Sequence, residues 1–416
     1  MRRSVIVLSA LAIAVVAARP ALAEPVIVDR YIVVLREGTG SPAAVAADHS
    51  RTYGAQVRMV YGSALHGYAA AVPSNRLAAL GEDPRVAFIS PDREVTALAQ
   101  TLPTGVDRIN AESKANEGAG VDVAVLDTGI DLDHPDLAAN IVGGKNCSTG
   151  RTYDDGNGHG THVAGTIAAM DNGVGVVGVA PQADLWAVRV LNNSGSGSWS
   201  SVICGVDFVD ARSPAKGGTI AVANMSLGGT GSDDGNCGNT NKDALHQAIC
   251  RAVADGVTFV VAAGNSSADV KGEAPAAYDE VITASALADS DGQPCRKGAA
   301  TGYGADDTFA SFSNYGTLAS DKAHMVAAPG VSIRSTYKGG VYRNLSGTSM
   351  ASPHAAGWAA LYVATHPGAT PAGVLTAMKS SGEPVGTNFG GECTSGASHS
   401  DPSGKHSEPV IRADSL

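Results

Sequence analysis

The sequence predicts an α/β protein: a large domain on a mostly parallel sheet, preceded by a small, separate α/β unit. Three observations predict this. From about Val106 to Ser381, short apolar runs rich in Val, Ile and Ala alternate with helix-compatible runs. Strands joined by crossover helices give that alternation. Residues 29–98 carry a β-α-β-β-α-β order of their own. Finally, 416 residues at 44% hydrophobic content suffice for one large core and a smaller piece.

Taken in order, the chain opens with Arg2 and Arg3, an apolar stretch from Val5 to Ala18, and the small residues Ala21-Leu22-Ala23. This reads as an export signal over 1–23. The apolar stretch is too short for a typical membrane span, so the expected product is secreted and free of the membrane after signal removal. The unit 24–99 begins with a strand, Tyr31 to Leu35. Ser41 then caps a helix that runs to about Gly54, with Pro42 at its first position. Strands over Val57 to Val60 and Ala69 to Val72, a helix over Asn75 to Leu80, and a strand over Val86 to Ile89 complete a ferredoxin-like order. Its core is small, which calls for a partner surface.

The large domain is assigned to 100–385. Its strand candidates are Val121 to Leu126, Leu185 to Leu191, Thr219 to Met225, Val257 to Ala263 and Val281 to Ala286. Helical runs cover His159 to Met170, Ser200 to Ala211 and Asn241 to Ala254, and a last one follows Thr370-Pro371. Residues 386–416 are polar and are expected to form an extended tail, held by Cys393. Acidic residues outnumber basic ones 40 to 29, which argues against nucleic acid as a partner. The six cysteines are even in number, and export makes disulfides plausible. Cys237 and Cys250 flank one local segment and are expected to pair. Cys147–Cys204 and Cys295–Cys393 are favoured for the rest, although sequence does not fix connectivity.

The chemistry centres on Leu345-Ser346-Gly347-Thr348-Ser349-Met350-Ala351-Ser352-Pro353-His354. A strand-like run leads in and an Ala-rich helical run leads out. Ser349 therefore falls at a helix start, where free N–H groups favour negative charge. A hydroxyl there can attack a carbonyl while its own N–H steadies the oxyanion. Asp127 ends the first strand of the large domain, ahead of Thr128-Gly129. Sheets of this kind place their sites at that end. His159 lies among glycines in Gly156-Asn157-Gly158-His159-Gly160-Thr161-His162. A His159/His162 metal pair is the rival reading, but no Glu or Cys stands at ligand spacing. A neutral His takes the Ser proton while a buried Asp fixes its tautomer. Asp401 and His406 would give a Ser-Asp-His order instead, but they lie in the polar tail. Gly173-Val174-Gly175-Val176-Val177-Gly178 matches a dinucleotide fingerprint, yet it follows a helix and precedes a strand, the wrong context.

In this order, the Asp127, His159 and Ser349 stretches resemble the three active-site signatures of the subtilases, the subtilisin-like serine peptidases. The likeness runs through most of residues 100–385. It implies a three-layer fold and a secreted, self-processing serine endopeptidase with Asp127, His159 and Ser349 as the triad. Asn265, in Ala263-Gly264-Asn265, resembles the family's oxyanion-hole residue. Ser226-Leu227-Gly228 and the Gly195, Gly197, Trp199 stretch resemble the edges that hold substrate as an added strand. The loop at 172–176 resembles the family's Ca²⁺ loop, which implies ligands from Gln100, Asp136, Asn172 and the carbonyls of Met170, Val174 and Val176; oxygen donors suit that ion. The 24–99 unit resembles the inhibitor I9 propeptide, an intramolecular chaperone and inhibitor cut near residue 99. Protein and peptide substrates, a monomer and broad specificity are expected. Position matching puts Glu273 near the first specificity pocket, but the maturation junction holds no basic residue, so Glu273 is not expected to set specificity. The alternatives are a catalytically silent binding protein on the same fold and a lipase-type hydrolase.

Overall fold

The computed structural model describes residues 26–93, 100–112 and 114–416. The signal stretch and the maturation junction lie outside the described residues. The chain forms two compact units, divided at Ala97/Leu98.

In the first unit, four antiparallel strands are covered by two helices. Strands Gln56–Tyr61, Gly67–Ala71, Val26–Leu35 and Val86–Arg93 lie in that spatial order. The helices are Pro42–Tyr53 and Ser74–Gly81. Pro42 opens the first helix and Gly54 closes it at φ 70°, a conformation that costs glycine little. Ser41 makes no side-chain cap, contrary to expectation; its carbonyl accepts the N–H of Val45 instead. Val33, Leu35, Val45, Tyr68, Leu80 and Val86 form the core.

The second unit has three layers. Its parallel sheet runs, in space, Ile282–Ala288, Thr258–Ala262, Ile220–Met225, Asp122–Asp127, Asp184–Arg189, Ile141–Asn146. Met325–Pro329 pairs parallel with Ile282–Ala288, and the two-residue strand Thr308–Phe309 pairs antiparallel with it. The strand Asp122–Asp127 is buried along its whole length, as expected for a strand covered on both faces. One face packs on the helices His159–Ala168 and Thr348–Thr365. The other packs on Trp199–Asp210 and Ala244–Ala254. Thr348–Thr365 is apolar on all sides and buried from Thr348 through Leu361 except at Ser349, the mark of a core helix. No helix among the described residues is long and apolar enough to cross a membrane. All three expected disulfides are present: Cys147–Cys204, Cys237–Cys250 and Cys295–Cys393.

The C-terminal residues are not an extended tail. Val410 bridges Ala327 in parallel and Glu383 antiparallel, so the segment continues the sheet. Val410, Ile411 and Ala413 are buried, and Trp358 donates its indole N–H to the Arg412 carbonyl at 2.7 Å. The polar residues that suggested a tail satisfy one another. Glu383 holds buried Arg108 (2.9 Å) and His399 (2.6 Å), while Arg412 pairs with Glu392 and Asp414. Buried charge is tolerated where it is paired in this way.

Candidate active site

Asp127 ends its strand fully buried. Its carboxylate meets Nδ1 of His159 at 2.8 and 3.0 Å and also accepts the Thr128 N–H at 2.7 Å. The imidazole sits at the first turn of its helix because Asp155 organises the loop ahead of it. Asp155 accepts the N–H groups of Asn157, Gly158 and Thr161 and the hydroxyls of Thr128 and Thr161. Gly160 is required: a Cβ there would stand 2.2 Å from the Gly129 carbonyl. Burial lowers the His159 pKa, but the charge and hydrogen bond of Asp127 more than offset this, and it lies above the ordinary value. His162 turns the other way, its Nε2 at 3.0 Å from the Ile333 carbonyl and 3.1 Å from that of Arg343. The two histidines therefore do not share a ligand position.

Ser349 sits in the first turn of the helix Thr348–Thr365. Gly347 enters at φ 157°, ψ 164°, a region essentially confined to glycine. The Ser349 hydroxyl donates to the Ser226 carbonyl at 3.4 Å; it does not hydrogen-bond His159. Its carbonyl is held in an unusual way. Pro353 lies four residues on and has no N–H to offer it. The Ser226 hydroxyl donates to it instead, at 2.8 Å. Ser226 is in turn fixed by the Asn224 amide (3.0 Å), whose oxygen accepts from Ser352 (2.6 Å). Asn265 is exposed. Its Oδ1 accepts from the Thr348 N–H and hydroxyl at 2.8 and 3.0 Å. Its NH₂ has no protein partner among the described residues, and Asn265 lines a pocket together with Ser349, Thr348 and Glu273. Asn224, Thr348, Pro353 and Asp155 were missed by sequence reasoning. A proline four residues after the serine, the threonine just before it and an aspartate four residues ahead of His159 were the readable signals; Asn224 is distant in sequence.

The adjoining cleft, about 850 Å³, is lined by His159, Gly195, Gly197, Trp199, Ser226, Leu227 and Gly228. Leu227 and Gly228 also line the Ser349 pocket, so the two spaces share a wall. Residues 195–199 are exposed, and Gly229 lies under Trp199, where a Cβ would come 2.9 Å from the indole. The expected edges thus flank one groove. His406, the rival histidine, is stacked on Phe309 at 4.0 Å and bonded to Glu408 at 2.7 Å.

The expected calcium ligands also gather. Gln100 Nε2 donates to the carbonyls of Met170 (2.8 Å) and Val176 (3.2 Å), so both face one point. Asp136, fully buried, accepts from Asn172 Nδ2 (3.0 Å) and the Val176 N–H (2.9 Å). Val174 lies in the same loop, its N–H bonded to Asn172 at 2.8 Å. Turning the Gln100 amide over brings its oxygen to the position of its NH₂, beside the two carbonyls. This oxygen-rich set fits Ca²⁺.

The sequence profile of the subtilase family matches residues 118–392, and that of peptidase inhibitor I9 matches residues 30–98. Subtilisin DY of Bacillus licheniformis is 40% identical over 298 residues, covering 70% of this chain and 95% of the relative. An alkaline protease of Alkalihalobacillus alcalophilus is 43% identical over 296 residues, 70% of this chain and 67% of the relative. A crystal structure of a cold adapted subtilisin-like serine proteinase superposes with a TM-score of 0.57 at 33% identity, covering 75% of this chain and 98% of that one.

Proposed function

Starting from the fact that this chain belongs to the subtilase family, a serine-type endopeptidase with an I9 propeptide, we propose that Asp127, His159 and Ser349 are its catalytic triad. The observation that carries this reading is the bond from buried Asp127 to Nδ1 of His159 at 2.8 Å, with the ring lining the cleft. Asp127 keeps the proton on Nδ1, so Nε2 is the base. Rotation of the Ser349 side chain away from the Ser226 carbonyl hands its proton to Nε2; catalytic hydrogen bonds often tighten only with substrate present. The Ser349 oxygen attacks the peptide carbonyl, and the Ser349 N–H and Asn265 NH₂ receive the oxyanion. The imidazolium then protonates the leaving amine, leaving an acyl-enzyme on Ser349 that water hydrolyses.

Substrate backbone binds as a strand between Ser226-Leu227-Gly228 and the Gly195, Gly197, Trp199 edge. Gln100, Asp136, Asn172 and the carbonyls of Met170, Val174 and Val176 hold a structural Ca²⁺, which supplies a rigid tie between the mature N-terminus and the loop. The enzyme is secreted as a zymogen, acts as a monomer without nucleic acid, and cuts broadly after small or apolar residues. A preference for Lys or Arg that disappears in Glu273→Ala would refute that breadth. N-terminal sequencing of the secreted product tests the whole reading. The wild type begins near Ala99 to Thr101, and Ser349→Ala keeps residues 24–98 attached. A Ser349→Ala chain that is still processed at this junction in pure form contradicts it.

A further inference from the structure

Outside the cleft, one corner of the catalytic unit gathers carboxylates around a buried imidazole. The short helix Ala319–His324 carries Asp321 and His324 three residues apart, hence on one face. Asp279, in the loop ahead of strand Ile282–Ala288, meets them. One oxygen of each aspartate and one ring nitrogen of His324 lie within 4.8 Å of one another. His324 Nε2 is 3.8 Å from Asp279 Oδ1.

His324 and Asp321 are each 2% exposed. Yet both ring nitrogens of His324 and the Oδ2 of Asp321 are buried without a hydrogen-bond partner. The Val281 carbonyl approaches the ring without the geometry of a hydrogen bond. Native interiors rarely leave polar atoms in this state unless something else satisfies them. The Asp279 side chain is 45% exposed, which opens the corner to solvent.

We propose that Asp279, Asp321 and His324 form a binding site for one divalent transition-metal ion, Zn²⁺ by its donor set. One imidazole with two carboxylates suits zinc better than Mg²⁺ or Ca²⁺, which favour oxygen alone. Tetrahedral zinc with bonds of roughly 2.0–2.2 Å sets donors about 3.3–3.6 Å apart, against 3.8 Å between His324 Nε2 and Asp279 Oδ1. Water takes the fourth position on the exposed side. All six cysteines are in disulfides, so no thiolate competes for the ion. The bound ion ties the helix Ala319–His324 to the segment leading into Ile282–Ala288. The proposal is independent of the triad.

The test is calorimetric titration of the full Ser349→Ala chain with zinc chloride, in excess Ca²⁺ to fill oxygen-only sites. One Zn²⁺ per chain is expected, with a rise in Tm. Asp279→Asn and His324→Gln each weaken binding at least tenfold. Asp279 is partly exposed, so Asp279→Asn decides the matter if His324→Gln does not fold. Absence of stoichiometric binding overturns the proposal. So does unchanged affinity in Asp279→Asn, or affinity kept in both designed variants but lost in His246→Gln, which breaks the separate cluster of Asp233, Asp234 and His246.

Discussion

Replacing Ser226 by alanine removes the hydroxyl that stands in for the N–H missing from Pro353. Two groups lose a partner: the Ser349 carbonyl, bonded at 2.8 Å, and the Asn224 amide, bonded at 3.0 Å. Ser226 is 4% exposed and Asn224 fully buried, so water replaces little. Leaving a buried polar group unpaired costs about 1–3 kcal/mol. At about 2–4 °C per kcal/mol, each group left unpaired lowers Tm by about 2–12 °C. The measurement is calorimetric unfolding in a Ser349→Ala background, which prevents self-digestion and keeps the carbonyl in question. Pro353→Ala sharpens it, because alanine at 353 brings back an N–H aimed at the carbonyl of residue 349. The Ser226→Ala cost then shrinks in the Pro353→Ala background, giving a coupling of about 0.5–3 kcal/mol. Equal costs with and without the proline would show that Ser226 does not replace a helical hydrogen bond.

Asp127→Asn leaves His159 in the wrong tautomer and is expected to lower kcat about 10⁴-fold, read in peptide hydrolysis at neutral pH. Because Asp127 raises the His159 pKa above 6.5, kcat/KM falls on acidification through a midpoint above that value; in Asp127→Asn the residual activity titrates lower. The sign for stability is opposite: the protonated His159 pair stabilises fully below about 6.5, and this is lost as pH rises through the raised value. Asn265→Ala removes one oxyanion donor and lowers kcat by about 10²–10³ with little change in KM. Glu383→Gln takes one of two carboxylates from buried Arg108 and costs about 3–5 kcal/mol in unfolding. Burial pushes Glu383 up, but His399 and Arg108 hold it down to about 2. Its contribution is therefore present above about 4.5 and lost as pH falls through about 2.

Much of this architecture was legible because burial on both faces demands unbroken apolar runs. The strands at Asp122–Asp127, Ile220–Met225 and Thr258–Ala262 are of that kind. Ile141–Asn146 was not legible: its two glycines look like a loop. Gly143 is there because the Trp186 ring covers it, leaving 2.6 Å for a Cβ. The hairpin Ile333–Tyr337/Val341–Leu345 was half seen, since the first strand mixes Arg, Ser and Thr with its apolar residues. The C-terminal segment was misread for the same reason that charged residues are usually read as surface. Arg412, Glu383 and His399 satisfy one another across the fold, and local composition does not encode distant pairing. In the site, Asp127, His159 and Ser349 stood out because each sits at an element boundary within two residues of a glycine. The Asn224–Ser226–Ser349 network, spanning 123 residues between its hydroxyl and carbonyl, left no local trace.

The claim that Ser349 is the nucleophile is tested most directly by reaction with a fluorophosphonate, followed by intact mass and peptide mapping. One adduct per chain on Ser349, lost in His159→Ala, is the result expected. A chain that cleaves casein yet carries no adduct, or carries it on another residue, contradicts the account.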